Sequence, residues 1–127
     1  MTGRVVHFEI PFEDGDRAEA FYRDAFGWNL QSMPGMGYTM VSTGPAGDDG
    51  MPSEPGYIGG GMFKGEGELR TPVITIDCDD IDAAVTEVER LGGTIVRPVE
   101  PVGDFGRAAY FRDTEGNLLG LWQQLGG

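Results

Sequence analysis

A chain of 127 residues, 39% hydrophobic and carrying seven Phe, four Tyr and two Trp, lacks the signature of a disordered chain and can bury one core but not that of a second independent domain. Nine Lys and Arg against 21 Asp and Glu leave a formal charge of −12, which repels phosphate backbones and anionic lipid and argues against nucleic acid or a membrane as partner. Glycine occupies 22 of 127 positions, roughly 17% against a usual ~7%, close to the low-complexity range, so the placement of the glycines matters.

Residues 4–10 (RVVHFEI) are β-branched and aromatic and predict a first strand that stops at Pro11, a residue unable to donate to a ladder. Over 16–26 the period changes. Ala18, Phe21, Tyr22, Ala25 and Phe26 fall at i, i+3, i+4, i+7 and i+8, an amphipathic helix whose aromatic stripe is expected in the core, with Asp14 or Asp16 as capping acceptor and Gly27 as left-handed stop. Residues 28–33 and 38–43 read as a hairpin around a Pro34-Gly35 turn. The stretch 44–56 (GPAGDDGMPSEPG) has no periodicity and reads as a mobile loop, and 57–63 as a further, glycine-thinned strand.

Residues 71–78 form the next expected strand, and Asp79 or Asp80 caps a second helix with Ile81, Ala84, Val85, Val88 and Leu91 on one face before Gly92-Gly93. Strands over 94–97, 107–112 and 118–122 follow, the last two joined across 113–117. The order is βαβββ written twice. Ala18 aligns with Ala83, Phe26 with Leu91 and Gly27 with Gly92, a constant separation of 65 residues that marks an internal repeat. The fold class expected is α+β, one domain over 1–127 built of two tandem modules, about 4–64 and 71–124.

The single cysteine, Cys78, cannot form an internal disulfide, and strand alternation puts it on the helix side as a buried thiol. With no apolar leader at the start and no run of 18 apolar residues, the expected location is cytoplasmic.

His7-Phe8-Glu9-Ile10-Pro11, the helix end FYRDAFGW, the stretch DDIDAAVTEVERLGG and the closing FRDTEGNLLGLW resemble, in that order, the vicinal oxygen chelate superfamily, which includes glyoxalase I, extradiol dioxygenases, fosfomycin resistance enzymes and bleomycin-binding proteins. The resemblance spans nearly the whole chain. It implies U-shaped mixed sheets around a cavity, with helices outside, and, as in many single-unit members, a homodimer.

In the metal enzymes of that superfamily, His or Glu stands in the first and last strand of each module. By the resemblance, His7 matches the first of these positions, Val73 the second-module equivalent and Gly120 the last-strand position of module two. The remaining position falls within Gly59-Gly60-Gly61, with its register open. One imidazole holds a divalent ion weakly, because a catalytic site normally needs about three protein ligands. The expectation is therefore no cofactor and no metal ligand set, with a divalent metal at His7 as a minor alternative. A lone strand histidine is more often a hydrogen-bonded pocket residue than a ligand.

Period-2 alternation places His7 beside Glu9 on one face, where an imidazole and a carboxylate can do acid–base work, so these are the candidate catalytic residues. Leu118, Gly120 and Trp122 share a face, as do Ala108 and Tyr110, and the resemblance turns these faces inward. Trp28, Tyr110, Gly120 and Trp122 are therefore the candidate ligand-binding residues, lining a site for a small, partly apolar molecule. The function expected is small-molecule binding on an incomplete metal site. The alternatives are a glyoxalase-like lyase, isomerase or dioxygenase using His7 and Glu9, with or without metal, and a structural or regulatory partner protein.

Overall fold

Pro11 does not end the first strand. In the computed structural model, which describes residues 3–33, 35–48 and 50–125, β1 runs Val5–Phe12 and passes through Pro11, which lies opposite Phe63 in a parallel ladder. A proline lacks only the donor, so a strand tolerates it where the ladder asks for none; the next residue still accepts, the Phe12 carbonyl taking the Gly65 N–H at 2.9 Å. Pro34 of the expected turn and Asp49 of the acidic loop lie outside the described residues.

The chain divides into two compact units, His7–Pro72 and the chain from Val73 onward, the latter taking in the few residues ahead of His7. In the first unit β1 leads into α1 (Gly15–Phe26), followed by β2 (Asn29–Met33), β3 (Tyr38–Ser42) and β4 (Gly60–Lys64). These strands lie in the order β2-β3-β4-β1, with the β1–β4 pair parallel and the others antiparallel. In the second unit β5 (Val73–Asp77) leads into α2 (Ile81–Arg90), followed by β6 (Thr94–Val102), β7 (Gly106–Arg112) and β8 (Leu118–Gln124), in the order β5-β8-β7-β6 with β5–β8 parallel. The two paths are the same βαβββ module, and the fold is α+β.

Local chemistry sets the helix ends. Asp14 caps α1, its carboxylate accepting from the Arg17 N–H at 3.1 Å, and Gly27 closes it at φ 72°. Asp80 caps α2 in the same way through the Ala83 N–H. The β6 strand is longer than the expected 94–97 because it crosses Pro98 and Pro101. It is the outer strand of its unit's order and its pairing to β7 shifts between Ile95 and Arg97 and again between Arg97 and Glu100, the irregular edge position that admits proline.

The helices differ in what they bury. Ile81 and Ala84 of α2 join Cys78, Ala109, Phe111 and Leu121 in a core, with Ile76, Val85, Val88 and Leu119 packed against it. Burial lifts the Cys78 thiol above its ordinary value, the direction that disfavours the reactive thiolate. The aromatic stripe of α1, expected in the core, is not there: no residue of α1 is buried, and Phe21 and Phe26 are 59% and 62% exposed. Its rings pack on one another. Tyr22 stacks on Trp28 at 4.9 Å between centroids, and Phe21 meets both Tyr22 and Phe26 edge-on. Such a cluster satisfies the apolar periodicity while leaving its outer edges in water.

The described residues of 44–56, expected as a mobile loop, form no helix or strand and are tied down at a few points. Ala46 bridges Pro52, the Tyr57 ring lies against Gly44, and the Thr43 hydroxyl donates to the Ile58 carbonyl at 3.0 Å. Among the described residues no helix is long and apolar enough to cross a membrane.

The contrast between the helices is measurable by urea unfolding. Truncating the fully buried Ile81 to Ala should cost about 2–5 kcal/mol, whereas Phe26→Ala should cost well under about 1 kcal/mol; comparable losses would mean that α1 is a core helix after all.

Candidate functional site

On β1, alternation places His7 and Glu9 on one face and Phe8 on the other. The ladder then decides what stands beside them. Glu9 is in register with Gly61 of β4, and Gly61 with Met40 of β3, so Tyr38, two residues before Met40, shares their face. Because Gly61 has no side chain, the Tyr38 ring lies over it, and a Cβ at this position would fall on the phenol oxygen. The hydroxyl thereby reaches His7 Nε2 at 2.7 Å. The two ring planes are near parallel, 13° apart, with centroids 6.5 Å apart, and the ring nitrogen donates or accepts according to its tautomer.

His7 is partly buried, and burial lowers its pKa from 6.5 to about 4, so the imidazole is neutral at pH 7. Glu9 is buried at 7% exposure. Tyr38 is the residue that sequence reasoning missed. The signal existed as an aromatic two positions from Met40 together with a glycine run at 59–61, but it becomes readable only once the β3–β4–β1 register is known.

The same register settles the glycine left open in the first module. Gly61 pairs with Glu9 as Gly120 pairs with Thr75, so Gly61 and Gly120 are equivalent, as are His7 and Val73, and Met40 and Tyr110. In the second unit Tyr110, Gly120 and Trp122 share one face of the sheet, with the Thr75 hydroxyl and the Tyr110 ring flanking Gly120 and the Trp122 ring lying across Gly106. Trp28 sits elsewhere. Its ring contacts are Phe8, Tyr22 and Phe26, on the side of β1 away from His7. A divalent metal, which the resemblance associates with this fold, does not fit these residues. Val73, Gly61 and Gly120 offer no donor side chain, Tyr38 already engages His7 Nε2, and no group of three His, Cys, Asp or Glu comes together among the described residues.

The lowered pKa has a consequence for stability. Between pH 4 and 6.5 the unfolded chain binds a proton at His7 that the folded chain refuses, so this contribution is complete above pH 6.5 and is lost as the pH falls toward 4. Urea unfolding at pH 7.5 and pH 5.0 should show a loss of about 2 kcal/mol that is absent in His7→Gln; an equal loss in both proteins would mean that His7 is not desolvated.

Comparison with known proteins bears on the fold and the family. Residues 4–44 match the family model described as Bleomycin resistance protein-like N-terminal. A glyoxylase-like domain-containing protein of Didymella fabae is 33% identical over 122 residues, covering 92% of this chain and 91% of that protein. A Mycobacterium tuberculosis protein named as a glyoxylase, CFP32, is 34% identical over 120 residues, and this chain spans 43% of its length. Among solved structures, a variant of Streptomyces coelicolor methylmalonyl-CoA epimerase superposes with a TM-score of 0.66 at 16% identity, over 99% of this chain and 97% of that one. A member of the glyoxalase/bleomycin resistance protein/dioxygenase superfamily from Vibrio splendidus superposes at 0.61 with 18% identity, over 98% and 100%. With the doubled βαβββ path and the near full-length similarity to the Didymella protein, the chain belongs to the glyoxalase/bleomycin resistance protein/dioxygenase superfamily, the vicinal oxygen chelate proteins.

Proposed function

We propose that this chain binds a small, partly apolar organic molecule on the sheet face that carries His7, Glu9 and Tyr38, without a metal centre. The observation that supports this reading most is the partly exposed His7–Tyr38 hydrogen bond, set beside Met40 on the strand position where the superfamily's metal enzymes carry a ligand. A face that sets the His7–Tyr38 pair beside Met40 suits a ligand with both a hydrocarbon part and a polar group. The charge of −12 disfavours an anionic ligand and suits a neutral or cationic one.

A lyase or isomerase is the second reading. The glyoxylase names of the relatives agree with it, and an imidazole that is neutral at pH 7 is in the protonation state that can accept a proton from a bound carbon or oxygen acid. In that case His7 is the base, with Glu9 next to it on the same strand face.

Thermal-shift screening of neutral and cationic metabolites and antibiotics tests the binding reading. A ligand at 100 times its Kd should add about 2.7 kcal/mol of stability, and His7→Gln should lose that gain while melting as a folded protein. Uniformly null shifts would favour a role as a protein partner instead. Turnover of any bound compound that survives His7→Ala would remove His7 from a mechanism.

A further inference from the structure

We propose that the outer strand β2 and the exposed Phe21 of α1 form one self-association surface, through which two copies of this chain pair β2 against β2 about a two-fold axis at Gln31 and continue the sheet from one copy into the other.

The two modules treat their outer strands differently. β2 and β6 are each the strand after the helix and the outermost in their unit's order, and among the described strands they pair only with β3 and β7 respectively. An outermost strand presents unpaired backbone donors and acceptors to any strand that comes beside it, and proteins block this with proline, bulges and charge. β6 has all three: Pro98 and Pro101, two shifts of register, and Arg97 and Glu100. β2 has none. Its sequence, NLQSM, contains no charge and no proline, its pairing with β3 runs without a shift over the whole strand, and Asn29, Gln31 and Ser32 are exposed.

The helices diverge in the same sense. Counted from the caps Asp14 and Asp80, Phe21 stands where α2 has Glu87, an exposed residue paired with Arg90 at 2.7 Å, and Phe21 is itself 59% exposed. A position that the second module gives to a solvated carboxylate is filled in the first by a phenyl ring. α1 lies nearest β2, whereas α2 spans β6, β7 and β8, and Trp28, the residue before β2, stacks on Tyr22, which Phe21 meets edge-on. The bare strand and the exposed ring therefore belong to the same margin of the unit.

The pattern of charge names the occupant as a second copy. Two chains of −12 repel at long range, so a surface on which they meet must be locally uncharged or self-complementary. β2 is uncharged. Phe21 has Arg17 one turn before it and Asp24 one turn after, and Asp24, 3.6 Å from Arg23, keeps a side chain 77% exposed. A two-fold axis normal to the sheet sets both β2 strands and both α1 helices antiparallel, the orientation in which the order cation, ring, anion complements itself. The register that pairs the whole of β2 puts Gln31 directly opposite its own copy, where like charges are destabilising.

Sedimentation of the full chain across a micromolar to millimolar series should show twice the mass of one chain, dissociating on dilution. Gln31→Lys and Gln31→Glu should each raise the dissociation constant by about a hundredfold with unchanged circular dichroism, although they move the net charge in opposite directions, and an equal mixture of the two should recover the dimer as a heterodimer. Phe21→Glu, which writes the second module's residue into the first, should weaken the dimer by about tenfold. A wild-type chain that stays monomeric throughout the series overturns the self-association and leaves the edge to a different protein or to none. A dimer that persists in both Gln31 variants, or a mixture no tighter than either variant alone, overturns the two-fold pairing at β2. A dimer indifferent to Phe21→Glu overturns the share of α1 in it.

Discussion

A tyrosine ring can lie across a strand only where that strand presents no side chain. In the first module two glycines in succession, Gly60 and Gly61, remove side chains from both faces of β4, and both faces use the space. The Phe8 ring lies against Gly60 on one side, 2.6 Å from where a Cβ would stand, and the Tyr38 ring lies over Gly61 on the other. The reach of Tyr38 to His7 depends on that bare strand, and so does the absence of a metal donor there. The low proton affinity of His7 follows from the accompanying burial.

Repetition of one module does not mean repetition of its chemistry. The second unit buries Ile81, Ala84, Phe111 and Leu121 beneath its helix, whereas the first spends its aromatic residues on a stack of Tyr22, Trp28, Phe21 and Phe26 at the surface of α1. On the opposite sheet face the chemistry differs: His7 and Tyr38 of the first module correspond to Val73 and Ala108 of the second. The second module therefore carries hydrophobic packing where the first carries the polar pair. This divergence is consistent with one scaffold hosting a site in one copy and stability in the other.

Much of the fold was legible in the residues taken locally. The caps, narrowed to Asp14 or Asp16 and to Asp79 or Asp80, the stop at Gly27 and the helix-side position of Cys78 follow from signals within a turn or two of the residue concerned, and the doubled βαβββ order from their repetition. The failures share a cause. Pro11, Pro98 and Pro101 look like strand breakers until their place in the ladder is known, and the stripe of α1 looks like core until one sees how little the sheet beneath covers it. In each case the deciding partner lies far along the chain.

The candidate site divides in the same way. The residues alone determined that this is a paired βαβββ protein and that His7 and Glu9 share a face, because alternation and repeat spacing are read directly along the chain, while the blank metal positions at Val73 and Gly120 were what the family resemblance implied. The tertiary structure decided that Gly61 is the equivalent of Gly120 and that Tyr38, 31 residues from His7, closes on its Nε2. Strand register is set by the summed pairing and packing of three strands, and no stretch of sequence short enough to show a period contains all three.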